Sequence, residues 1–85
     1  NVYKNKLHIT RGSAIRSENQ ITMRDWKNVV AYEVREGGEN GKLICVSDGM
    51  LKPSAEATFN VIGGWKDNYK VYAVAYNNVR IEVSF

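Results

Sequence analysis

The chain has 85 residues, 12 Lys or Arg against 9 Asp or Glu, a net charge of +3 and 44% apolar residues. That is ordinary globular composition for one small domain and excludes a disordered chain. No apolar run approaches the ~20 residues that cross a bilayer as a helix, and no signal-peptide pattern opens the sequence.

The first residue is Asn1 and not Met, so the chain reads as processed, or as a module excised from something longer. Val2, Leu7 and Ile9 mark an opening strand that Arg11-Gly12-Ser13 ends. Lys4, Lys6, His8, Arg11 and Arg16 give this opening stretch a basic character with no acid. Ile21 and Met23 alternate with Thr22 and Arg24 in a second strand. Trp26 breaks that parity and predicts a bulge or strand end near Asp25.

Residues 29–36 read as a strong strand, with Val30, Tyr32 and Val34 on one face. Gly37-Gly38-Glu39-Asn40-Gly41 follow as a hairpin loop, and residues 42–47 return. A five-residue loop pairs Glu36 with Lys42, Val34 with Ile44 and Tyr32 with Val46. Cys45 then lies on the far face, opposite Glu33.

Asp48-Gly49 predicts a turn, and residues 53–57 a single helical turn opened by Pro53. Strand character resumes over 57–62, until Gly63-Gly64 stops it. Trp65 comes next and predicts a loop position, since Lys66-Asp67-Asn68 follows. Two further strands, 69–76 and 79–85, are joined at Asn77-Asn78. A two-residue turn there pairs Tyr72 with Val83 and Val74 with Ile81, whereas a three-residue loop sets Val71, Ala73 and Ala75 against that stripe. In either register one apolar stripe of 69–76 is left over, to be covered by other elements or shown at the surface. About seven strands with short connections predict an antiparallel β-sandwich, with a small five-stranded barrel as the alternative.

Residues 30–35 with 41–44 resemble the central hairpin of a fibronectin type III-like or bacterial immunoglobulin-like module. Residues 69–77 resemble its penultimate strand, with Tyr69 at the corner-tyrosine position. The resemblance covers roughly residues 29–85; Trp26, out of phase with Ile21 and Met23, and Gly63, where the family carries leucine, depart from it. It implies a spacer or adhesion module within a larger surface or secreted protein.

Residues suited to catalysis are sparse. His8 is the single histidine and reads as a strand-face residue, and Cys45 is the single cysteine and reads as a half-buried small hydrophobe. One cysteine excludes an internal disulfide. Glu33, Glu36, Glu39 and Asp48 lack the spacing of a calcium loop and read as a solvated charged hairpin. The glycine pairs precede strands or loops, not a helix, so they make no phosphate loop. No metal or cofactor is expected, and no catalysis.

The leading expectation is a non-catalytic binding or structural module, extracellular or on a cell surface, that contacts protein or carbohydrate. Trp65, Tyr72, Tyr76 and Trp26 are its candidate contact residues, because aromatics anchor interfaces and sugar sites. A second reading is a basic barrel for single-stranded nucleic acid, in which Tyr72, Tyr76 and Trp26 stack on bases while Arg24, Lys27, Lys70 and Arg80 meet phosphates. A third is an inhibitor or effector that docks through a strand edge.

Overall fold

Alternating apolar residues at positions 21–23, 32–34, 57–59 and 69–75 call for strands with one face buried. The computed structural model, which describes residues 8–48 and 56–85, contains seven. They are β1 (Ser13–Ser17), β2 (Gln20–Arg24), β3 (Ala31–Glu36), β4 (Leu43–Asp48), β5 (Ala57–Asn60), β6 (Tyr69–Val74) and β7 (Arg80–Val83). Two antiparallel sheets result, ordered β1-β2-β5 and β4-β3-β6-β7. The fold is therefore a β-sandwich, and the barrel alternative is set aside because the sheets are open.

Ile21 and Met23 from one sheet meet Tyr32, Val34, Val71, Ala73 and Val83 from the other in a shared core. Tyr32 links the layers through its ring, which stacks on Phe59 at 6.1 Å and meets Trp26 edge-on at 6.3 Å. Burial pushes the Tyr32 hydroxyl up to a pKa of about 12.

The N-terminal strand departs from expectation. Val2 and Leu7 lie outside the described residues, and Ile9 is followed only by a bridge between Thr10 and Lys27. Among the described residues the first strand begins at Ser13, where an end was predicted. Only Ala14 of β1 packs on the core, while Ile15 faces outward beside Thr22, so the alternation that identifies a strand is missing. Gly12 carries the chain past the end of β2: a Cβ there would lie 1.9 Å from the Arg24 carbonyl oxygen. As expected from Trp26, β2 stops at Arg24, and Asp25 takes a φ of 64°. The Asp48-Gly49 turn and most of the Pro53 turn fall outside the described residues.

The first hairpin opens as predicted, with the Glu36 N–H donating to the Lys42 carbonyl and Arg35 opposite Leu43. A register shift between Val34 and Arg35 then changes every later pair: Val34 faces Cys45, Glu33 faces Val46 and Tyr32 faces Ser47. Ile44 is the extra residue of this β-bulge. Both Ile44 and Cys45 pack against the core, while Val46 turns out and is 54% exposed. The predicted Val34–Ile44 and Tyr32–Val46 pairs are thus corrected, and Cys45 lies on the inner face.

At the last hairpin the three-residue loop prevails. Val71 pairs with Val83 and Ala73 with Ile81, and the Ala75 N–H donates to the Val79 carbonyl. Asn78 supplies the left-handed residue at φ 65°, and the Asn77 side chain accepts from the Val79 N–H. The leftover stripe is Tyr72 and Val74, outward-facing yet 6% and 4% exposed.

Glu33, Arg35 and Arg80 surround that stripe. Arg80, opposite Val74 on β7, reaches across β6 to Glu33 on β3, where its Nε donates at 2.6 Å. Arg35 Nε donates to the same carboxylate at 2.9 Å and its Nη1 to the Gly41 carbonyl at 3.0 Å. The Arg80 bond, with Arg35 adding to it, holds the Glu33 carboxyl below the usual carboxylate range despite its burial. Glu33 was expected in solvent; it is buried because both guanidiniums neutralise it there.

Candidate functional site

Trp65 takes its place from the turn before it. Gly63 and Gly64 adopt φ of 81° and 90°, a region L side chains rarely enter, and Gly64 N–H donates to the Val61 carbonyl at 3.0 Å. Asn19, in the turn between β1 and β2, holds this loop twice. Its carbonyl accepts from the Val61 N–H at 2.8 Å, and its side-chain oxygen accepts from the Trp65 N–H at 2.8 Å. The indole is thereby fixed at the end of the sandwich rather than left free on a loop.

Three rings meet there. Trp65 stands edge-on to Tyr69 at 5.8 Å and to Phe85 at 5.9 Å, with interplanar angles of 81° and 88°. Tyr69, the first residue of β6, is buried; Phe85 continues the inward stripe of Ile81 and Val83 beyond β7 and is 55% exposed. Arg16 comes from the other sheet, on the same face of β1 as Ala14. Its guanidinium lies 5.0 Å from the centre of the Trp65 ring, and its Nη1 donates to the Glu18 carbonyl at 2.7 Å.

These groups line an open cleft of about 400 Å³, together with Asp67, Lys70, Val71, Glu82, Val83 and Ser84. It lies between β1 and β7, each at the edge of its sheet. Pairing of β6 with β7 stops at Val71–Val83, so Tyr69 and Lys70 have no assigned strand partner on that side. The cleft offers aromatic surface, two cations and two carboxylates, the mixture that orients a polar ligand on an apolar wall.

The other candidate contacts are placed differently. Trp26 is 8% exposed, donates its indole N–H to the Ser13 carbonyl at 2.8 Å and packs on Tyr32. Tyr72 lies within the outer face of β6, where burial raises its pKa. Tyr76 is 39% exposed in the last hairpin loop, at the other end of β6 from the Trp65 cleft. Trp65 alone of the four lines that cleft.

Arg16 and Phe85, which complete it, were not singled out from the sequence. Phe85 was legible as the last member of an apolar stripe, whereas Arg16 carried no signal without β1. A smaller groove of about 240 Å³ is lined by His8, Ile9, Ala75, Val79 and Ile81. Cys45 packs on the core from β4 and lines neither concavity. Comparison of the chain with protein-family models, with curated proteins and with solved structures returned no match.

Proposed function

We propose that this chain is a non-catalytic binding module, of fibronectin type III-like or immunoglobulin-like kind, from a secreted or surface protein. Its contact surface is the Trp65 cleft, and its partner is a protein or a carbohydrate. The observation that carries this reading is the junction of Trp65, Tyr69 and Phe85 with Arg16 in one open cleft between two sheet edges. Aromatic rings backed by a rigid sheet contribute contact area at small cost in conformational entropy. The separation of His8, in the smaller groove, from Cys45, on the core side of β4, supports a non-catalytic reading.

The nucleic-acid reading draws less support. Trp26 and Tyr72 are buried, and Arg24 and Arg80 are held in ion pairs with Glu56 and Glu33. Docking through a strand edge stays compatible with the cleft, since β7 contributes to its wall.

The test is an array of glycans and peptides probed with the chain and with Trp65→Leu. A ligand that Trp65→Leu loses and Trp26→Phe keeps supports the reading. Binding that survives Trp65→Leu, or that collapses steeply with salt, overturns it in favour of another surface or of nucleic acid.

A further inference from the structure

We propose that the Trp65 cleft takes a soft organic cation from its ligand, a guanidinium or a methylated ammonium, at the position that Arg16 now fills. This deepens the binding-module reading and rests on it. The face of an indole ring attracts cations through its quadrupole, and weakly hydrated, delocalised cations are the easiest to bring there from water. In this molecule the ring already holds one, the Arg16 guanidinium at 5.0 Å from its centre. The site therefore displays its own preference.

Arg16 is a replaceable occupant. It is an exposed residue on an edge strand, and among the described residues it keeps, besides the ring, only the hydrogen bond to the Glu18 carbonyl. Tyr69 and Phe85 stand nearly perpendicular to Trp65, so the rings form a walled corner rather than a flat platform. Asp67 and Glu82 line the same cleft and enter no ion pair among the described residues. Lys70 is the one other cation lining it. With Arg16 turned to solvent, two carboxylates face one ammonium, and the lining carries net negative charge for an incoming cation. A neutral sugar would stack on the rings but would gain nothing from that charge.

The guanidinium that the ring already holds points to a cationic side chain of a protein partner, and a choline headgroup is the competing outcome of the test. The experiment follows the Trp65 indole N–H and the 64–66 amides by NMR in the whole chain. The probes are acetylated, amidated arginine, the matching trimethyllysine, and glycerophosphocholine at millimolar concentration. Saturable shifts at Trp65 with the Trp26 indole unmoved are expected from the arginine or trimethyllysine probe, and a response to glycerophosphocholine alone overturns the protein source.

Arg16→Gln, which keeps the stem and a donor for Glu18, should tighten binding by roughly 2- to 5-fold by removing the competitor. Trp65→Leu should abolish it, read at the Tyr69 and Phe85 amides. No saturable shift with any cation, or weaker binding in Arg16→Gln, overturns the proposal. If a neutral oligosaccharide or an uncharged peptide moves Trp65 while the cations do not, only the cation assignment falls. If nothing moves Trp65, the cleft as contact surface falls with it.

Discussion

The two tryptophans of this chain end in opposite situations. Trp26 is enclosed: its ring packs on Tyr32 and its indole N–H is satisfied by Ser13. Trp65 is half-buried, with a guanidinium on its ring and an open cleft beside it. The contrast follows from what lies over each ring. The chain entering β1 crosses the end of β2 at Gly12 and covers Trp26, whereas β6–β7 pairing ends two residues short of Tyr69 and leaves Trp65 uncovered. An aromatic residue becomes core or contact surface according to backbone that is distant in sequence.

The largest effect should separate the two rings by stability. Trp26→Ala removes a buried indole and should cost about 3–5 kcal/mol in urea unfolding, a large share of the stability of a domain this small. Trp65→Leu keeps an apolar side chain at a half-exposed site, where lost volume is refilled by solvent, and should cost under about 1.5 kcal/mol while abolishing ligand binding. Equal losses in the two variants would erase the distinction between core and contact.

Next come the two titrating groups of β3, neighbours on opposite faces of the same sheet. Tyr32, held up by burial, favours the folded state fully below pH 10, and that contribution disappears as pH rises toward about 12. Tyr32→Phe should flatten this alkaline limb, on the order of 2 kcal/mol, in unfolding curves run at successive pH values. Glu33 has the opposite sign. Its folded pKa is lowered by Arg80 and Arg35, so its contribution is present above the ordinary glutamate range and is lost as pH falls through the lowered value. Glu33→Gln should cost about 2 kcal/mol at neutral pH, because two guanidiniums lose their common acceptor, and should remove that part of the acid sensitivity. An unchanged acid limb in Glu33→Gln would assign the acid sensitivity elsewhere.

The smallest effect tests the bulge. Val46→Thr should lie within about 0.5 kcal/mol, as befits an outward side chain. Strict alternation would place Val46 in the core, where an unpartnered hydroxyl costs about 1–3 kcal/mol. A loss of that size would return the hairpin to the register without a bulge.

Much of the architecture was legible in residue order. Strands β2, β3, β5, β6 and β7 announce themselves by alternation, and Gly63-Gly64 placed Trp65 on a loop. Strand β1 was not legible, because only Ala14 of its five residues packs on the core, and with it Arg16 was lost to the site. The burial of Glu33 was equally hidden: its partner Arg80 lies 47 residues away, across β6.

Residue order alone therefore specifies an all-β chain and the two hairpins, since period-2 patterning and turn chemistry are local properties. Tertiary structure decided the bulge at Ile44, because which face of β4 is inward depends on packing across the sandwich. It also chose the three-residue loop, which puts Val71 and Ala73 in the core and leaves Tyr72 and Val74 to the outer face, where Arg80 reaches Glu33. Last, it brought Arg16 onto Trp65, with Asn19 of the β1–β2 turn holding the loop that carries the indole. No local pattern encodes that contact, since Arg16 lies in β1 and Trp65 on the distant loop between β5 and β6.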